Sequence, residues 1–486
     1  MNATSSSRAG FFPQWRPWLA PMGARLQRLR HHSLHQLETL FMPFLATGLL
    51  SQADEGANSR ERVYSAPRAF WGFLAQVLNP DCACREIVRQ VQALFALEGG
   101  RRVDEGTSGY CQARQRLPLD ALSRLRCAAA ASAGKAAGLW RGLRPKVIDG
   151  VCVSLPDTPK NQRAYPQPSG QKPGCGFPLM KIVGVFCLGS GALLDYAKGN
   201  KHRHELALLQ KILDQFKKGD LALADRGFCS YALMALLRLR GAHSLFRLHG
   251  ARGADMRKGR RLGKNDRLIV WRKPWDWQKP RFVPKALWNR IPKELAVRVA
   301  RYRVEIHGFR TKSITLATTL IDAQEYPAHE LAALDARRWK IELWFRDIKT
   351  SMGMESLRCK SPEMAAKELE MFLIAYNLIR CLMAEASRSH GVSIERLSFK
   401  GTVDAARQFS AAIAQARTKK KQKELIEQLL ETIASDRVPE RPGRSEPRAV
   451  KRRPKPYPLL NKPRRQFKET PHRNRYRKNK PSNIKG

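Results

Sequence analysis

Between residues 145 and 249, short apolar runs alternate with amphipathic stretches in one telling order. "KVIDGVCVSL" has the β-branched content of a strand, and "LMKIVGVFCLGSGALLDYA" reads as two strands around a Gly-Ser-Gly turn. "HELALLQKILDQF" is an amphipathic helix, "DLALADRG" a buried strand, "SYALMALLRLRG" a helix and "HSLFRLH" a further strand. Three strands followed by helix, strand, helix, strand imply a mixed sheet with helices packed on it. The expected fold class is α/β.

The flanks read differently. Residues 1–142 are expected to form a helical N-terminal domain, since "PRAFWGFLAQVL", "REIVRQVQALFALEGG" and "LPLDALSRLRCAAAASAGKAAGLW" have helical apolar spacing. Residues 143–385 hold the sheet. Within them 250–312, with "LIVWRKPWDWQKPRF" and "LAVRVARYRVEIHG", read as an inserted β-rich subdomain. "SITLATTL" returns to strand, and "SPEMAAKELEMFLIAYNLIRCLMAEASRS" is a long helix with Ser361 as N-cap and Pro362 at its first position. A helical C-terminal region, 386–437, precedes a Pro-, Arg- and Lys-rich tail, 438–486. That tail has too little apolar surface to offset its ordering entropy and is expected to be disordered.

Charge decides the partner. Lys and Arg number 89 against 42 Asp and Glu, a formal net charge of +47. Such an excess calls for a polyanion, with nucleic acid as the default. No run of about 18 uncharged apolar residues occurs, so no membrane span is expected. The N-terminus lacks a continuous apolar signal core, and the ten cysteines show neither C-x-x-C pairs nor zinc-ligand spacing. A cytoplasmic, nucleoid-associated protein with reduced thiols and no small-molecule cofactor is the expectation.

Against that basic background three acids stand out. Asp149 sits in the apolar strand "PKVIDGVCVSL", and Asp225 ends the buried strand "LALADRGF". The third is Glu342 in "DARRWKIELWFRDIKTSMG". At 100° per residue Arg338, Glu342 and Lys349 fall within about 40° of one another, beside a stripe of Ile341, Phe345 and Ile348. Taken singly, the two aspartates suit turn caps, and Arg338–Glu342 suits a solvated i, i+4 pair. Taken together, two strand-borne Asp and a helix-borne Glu are the donors that two Mg²⁺ ions roughly 4 Å apart need to neutralise the attacking and leaving oxygens of a phosphodiester. Arg338, Lys349, Arg226 and Arg346 would grip phosphates. Trp271, Trp275, Trp277 and Trp288 suit either core packing or stacking on an unpaired base. Asp157-Thr158 reads as a turn cap, and no histidine pair has metal-ligand spacing.

The Asp149-Gly150 pair with "LPDTPKNQ" downstream, "ADRGF" at Asp225, and R-x3-E-x6-K at Arg338, Glu342 and Lys349 resemble the DDE transposases of bacterial insertion sequences. More narrowly they resemble the group marked by a Tyr-Arg-Glu-Lys signature. The resemblance runs from about residue 60 to 465, including "YCQARQRLP" and "KRRPKPYPLL". It implies an RNase H-like catalytic domain with a β-rich insertion, an N-terminal domain that binds element ends, and a homodimer on DNA. It also implies that Asp149, Asp225 and Glu342 form a catalytic, metal-binding triad for two Mg²⁺ ions, with Mn²⁺ as substitute. A metal-activated water then nicks the end, and the freed 3′-OH attacks target DNA. One position departs: Asp335 stands where the signature has tyrosine. A carboxylate there is expected to repel phosphate and weaken cleavage. The rival readings are a transposase-derived DNA-binding protein with little or no cleavage, a stand-alone RNase H-like nuclease, and a metal-independent DNA-binding protein.

Overall fold

The computed structural model describes residues 35–45, 63–97, 102–135, 137–249, 255–303 and 313–439, with positions 462, 463 and 466. Most of the basic tail and the first 34 residues lie outside the described residues. In chain order the N-terminal helices are α1 (His35–Phe41), α2 (Ala66–Leu78), α3 (Cys84–Leu97), α4 (Ser108–Arg116) and α5 (Leu119–Gly134). Ser65 caps α2 by accepting from Arg68 N–H, and Phe70, Phe73, Leu74 and Val77 give that helix its buried face.

The sheet region follows: β1 (Arg144–Ser154), α6 (Pro159–Ala164), β2 (Leu179–Cys187), β3 (Leu193–Asn200), α7 (Glu205–Leu209), β4 (Asp220–Ala224), α8 (Tyr231–Leu239) and β5 (His243–Arg247). Then come β6 (Arg260–Gly263), β7 (Asp266–Arg272), α9 (Lys285–Arg290), β8 (Glu294–Arg303) and β9 (Ser313–Thr318). Five helices close the chain: α10 (Ala328–Arg338), α11 (Lys340–Arg346), α12 (Pro362–His390), α13 (Phe399–Gln415) and α14 (Lys419–Ser435). Among the described residues the strands form one nine-stranded sheet, ordered β3-β2-β1-β4-β5-β9-β8-β7-β6. β1, β4 and β5 are mutually parallel, and the remaining pairs are antiparallel. No helix among the described residues is long and apolar enough to cross a membrane.

Alternation along the strands sorts side chains onto two faces. Val147, Leu221, Leu223 and Leu245 join the core shared with the N-terminal helices, α10 to α12 and the C-terminal helices. Ile148, Ala222, Ala224 and Phe246 join the opposite core, with α7, α8 and Trp288. β4, buried at every residue, is covered on both faces. Asn377 of α12 ties helix to sheet, accepting from Leu193 N–H (2.9 Å) and donating to Leu193 C=O (3.0 Å).

Two expected boundaries meet continuous structure. The described strands of the 250–312 segment extend the main sheet, because β8 pairs with β9 from Arg298↔Thr318 to Arg303↔Ser313. The free edge of β9 and the alternation of Leu295, Val297 and Val299 explain the join. The boundary at 385/386 falls inside α12, one unbroken helix from Pro362 to His390 that is buried along most of its length. α13 packs on α1 and α14 on α12, so the described N- and C-terminal helices and the sheet share one continuous core.

Candidate active site

β1 and β4 pair in parallel as far as Ile148↔Ala224, and the next residue of each is an aspartate. Asp149 and Asp225 therefore emerge side by side where the two strands part. β5, parallel to β4, ends at Arg247. α10 packs over β4, β5 and β8, and α11 over β1, which brings Glu342 to the same place. A cleft of ≈ 380 Å³ is lined by Asp149, Asp225 and Glu342 together with Arg226, Arg247, Arg338 and Trp339.

Asp149 Oδ1 accepts from Gly150 N–H, and Asp225 Oδ1 accepts from Gly227 N–H, each at 2.8 Å. The turn-cap role foreseen for Asp225 is thus real, but it occupies one oxygen only. Several buried acids elsewhere are neutralised by ion pairs. Asp220 pairs with Lys146 (2.7 Å), Asp266 with Arg298 (2.6 Å), Glu370 with Arg126 (3.0 Å) and Asp335 with Arg247 (2.9 Å). Among the described residues none of Asp149, Asp225 and Glu342 is held in an ion pair. Burial, opposed by the Gly150 hydrogen bond and reinforced by Asp225, pushes the Asp149 carboxyl up to about 6. Burial likewise raises Glu342, while Arg338 and Arg247 pull it down.

This donor set suits a hard divalent cation: three carboxylates, no thiol or imidazole among the cleft residues, and no direct ion pair to break. The three carboxylates share the cleft without closing on one point. Among the described residues no three Asp, Glu, His or Cys side chains converge tightly enough to hold a metal ion as they stand.

The basic column foreseen from helical spacing is only partly present. Arg338 reaches the cleft but is buried, 3.5 Å from Asp335. After Arg346 the helix widens into a π-turn, Asp347–Ser351, which breaks the 100° phase and carries Lys349 out of the cleft lining. Arg346 is exposed, 4.0 Å from Asp347. Asp335 does not face a phosphate. It is 1% exposed, and its Oδ2 accepts from Arg247 Nε and from the Tyr302 hydroxyl, both at 2.9 Å. The repulsion expected from sequence is offset, because the carboxylate is buried against two guanidiniums. Sequence reading missed Arg247 and the half-exposed Trp339. The signal for Arg247 was present, since it closes the strand-like run "HSLFR" much as Asp225 closes "LALAD".

Asp149 also has a consequence for stability. Its carboxyl titrates near 6 in the fold, above its ordinary value of 3.8, so its contribution is fully present below about pH 4 and lost as pH rises through 6. Asp149→Asn is therefore expected to match wild type near pH 4. At pH 8 it should be more stable by about 2 kcal/mol in cation-free protein, read by denaturant melts at both pH values. Equal stability at pH 8 would show that the site does not disfavour this charge.

Residues 140–378 match the family described as "Transposase DDE domain". The chain is 29% identical over 450 residues to transposase InsG of insertion sequence element IS4 from Escherichia coli strain K12, covering 89% of this chain and 96% of that protein. It is 28% identical over 105 residues to the putative transposase InsZ of the same organism, covering 21% of this chain and 35% of the relative. A cryo-EM structure of a piggyBac transposase synaptic complex with hairpin DNA aligns over 82% of this chain and 85% of its own at a TM-score of 0.41 and 9% identity. The mixed sheet, with aspartates side by side where β1 and β4 part, and the family match define a DDE transposase. Within that class the chain belongs with the IS4-like transposases of insertion sequences.

Proposed function

We propose that this transposase binds the terminal inverted repeats of its insertion sequence as a homodimer and catalyses strand cleavage and strand transfer at the cleft of Asp149, Asp225 and Glu342. The observation that carries this reading is three carboxylates left unpaired in one cleft of a chain whose net charge is +47. These side chains would hold two divalent cations, Mg²⁺ with Mn²⁺ as substitute, which supply charge neutralisation at the attacking and leaving oxygens of the phosphodiester. Arg226, exposed on the cleft rim, and Arg338, fixed beneath Glu342, would orient the scissile phosphate. Lys349 and Arg346, outside the cleft lining, would contact the flanking duplex. The basic tail would add sequence-independent affinity.

The test is incubation of the full chain with DNA carrying the element's own ends. Nicks at the ends with Mg²⁺ or Mn²⁺, binding without turnover in Ca²⁺, and joined products with added target DNA are expected. End binding without nicks would leave a DNA-binding derivative, and nicks without joining would leave a nuclease. The burial of Asp335 removes the electrostatic reason for preferring the first of these.

The tryptophans of the β6–β8 segment divide by exposure. Trp288 is buried and donates from Nε1 to Asp276 (2.7 Å), a structural role, whereas Trp275 and Trp277 are 74% and 80% exposed. Replacing both exposed rings by alanine is expected to weaken binding of end DNA with an unpaired base by about 1–3 kcal/mol per stacked base. Fully paired DNA should be affected little. Equal losses on both substrates, in a filter-binding comparison, would assign these rings to something other than stacking.

A further inference from the structure

Four of the ten cysteines, Cys82, Cys84, Cys111 and Cys359, gather where the N-terminal helices meet the segment that follows the Glu342 helix. A cavity of ≈ 260 Å³ opens there, with Gln76, Cys84, Arg114, Arg358, Cys359 and Glu368 in its wall. Cys84 is the first residue of α3, and Cys111 lies in α4. Their two thiols share a hydrogen bond. Gln76 Nε2 stands 3.6 Å from Cys84 Sγ, and Arg114 Nη2 stands 3.9 Å from Cys111 Sγ. Both cysteines are half-buried, whereas Cys82 and Cys359 are buried.

Arg114 is only 9% exposed, and a guanidinium so buried needs an anion. Its Nη1 donates to Gln76 Oε1 (3.1 Å), and its plane lies over Phe73 and Tyr110. Its Nε is buried without a hydrogen-bond partner. Among the described residues no carboxylate forms an ion pair with it. Glu368, in the same cavity wall, accepts instead from the Arg358 and Cys359 amides (3.0 and 2.9 Å). By contrast Arg126 and Arg298, also buried, hold Glu370 and Asp266. The anion available to Arg114 is a thiolate. The hydrogen bond from Cys111, helped by Arg114 and Gln76, holds the Cys84 thiol well below its ordinary value in spite of burial. The same hydrogen bond and burial raise Cys111, while burial pushes Cys82 up to about 12 and raises Cys359. One thiolate and one thiol thus face each other beside a cavity.

We propose that Cys84 and Cys111 are a reversible oxidation site for a hydroperoxide, with Cys84 as the attacking sulfur and Cys111 as the resolving one. The Cys84 sulfur attacks one peroxide oxygen, the O–O bond breaks, and the departing hydroxide takes a proton from solvent to become water. The Cys111 sulfur then attacks the sulfenic sulfur, and its proton leaves with the hydroxyl as a second water. Both sulfurs are oxidised and one peroxide is reduced; a dithiol reductant reverses the change. The bond staples the start of α3 to α4 and removes the thiolate from beside Arg114. The plain alternative is a set of inert thiols that pack as small apolar side chains.

The experiment treats the reduced full chain with hydrogen peroxide and maps the products by alkylation and peptide mass spectrometry, with a thermal melt to confirm that each sample is folded. Before peroxide, Cys84 is expected to react with iodoacetamide at neutral pH about tenfold or more faster than Cys127, the one exposed cysteine, which exposure alone would make the fastest. After peroxide, wild type should carry a Cys84–Cys111 disulfide that dithiothreitol reverses. Cys111→Ser should stop at a Cys84 sulfenic acid, trapped by dimedone. The wild-type products decide the matter even where a variant fails to fold. A folded wild type in which Cys127 reacts first and Cys84 stays reduced overturns the proposal in favour of inert packing. A disulfide between Cys84 and Cys82, or a Cys84 sulfenic acid that persists beside intact Cys111, overturns it as well.

Discussion

Asp149→Asn, Asp225→Asn and Glu342→Gln are each expected to lower end cleavage by about 10³-fold or more while end binding stays within a few-fold of wild type. Each substitution removes one anionic oxygen from a cleft whose three acids make no direct ion pair. Several kcal/mol of transition-state charge stabilisation depend on the cations so held, and each 1.36 kcal/mol is tenfold in rate. Binding should survive because the contacts that gather DNA are lysines and arginines spread over the chain. The three variants should not fail alike in the absence of cation. Asp149→Asn, which deletes a disfavoured charge, should melt higher than wild type at pH 8, a signature that a damaged fold would not give. Cleavage at the wild-type rate by any one variant, on end DNA in Mg²⁺ and in Mn²⁺, would remove that residue from the site.

Asp335→Tyr is expected to destabilise the protein by about 3–5 kcal/mol and to reduce cleavage. Asp335 is the shared acceptor for Arg247 and Tyr302 and lies 3.5 Å from Arg338. Its loss leaves two cationic side chains beneath the cleft without a counter-charge, and a phenol is larger than the carboxylate it would replace. Solvent screening at Arg247, whose side chain is 21% exposed, places the cost toward the lower end. Asp335→Asn, which keeps the volume and one acceptor, should show a smaller loss of the same sign. A denaturant midpoint unchanged in Asp335→Tyr, together with faster cleavage, would restore the idea that this carboxylate repels DNA.

Local signals in the sequence were faithful where local physics decides. Ser361 accepts from Met364 N–H and Thr158 from Asn161 N–H, as their positions before helical runs imply. The strands around Gly189-Ser190-Gly191 form an antiparallel pair, and Asp149 and Asp225 follow the last paired residues of β1 and β4. What was not legible depends on partners far along the chain. Arg247 and Asp335 are 88 residues apart, and nothing near either one announces the pair. Helical phase could not place Lys349, because a π-turn changes the angle per residue and has no clear sequence mark. The shift to a basic, Trp-containing composition at 250 suggested a separate unit, but edge pairing of β8 with β9 is set by backbone hydrogen bonds that composition does not encode.

The continuous sheet also spans a fixed length. From β4, which carries Asp225 at its end, to the outermost strand β6 there are five inter-strand steps. At about 4.8 Å per step this is about 24 Å, the rise of about seven base pairs of duplex DNA. A duplex gripped along that outer edge while it is cut would be held in register by the number of strands between. Changes to the connection between β6 and β7 would alter which bases are touched, but not how far from the cut they lie.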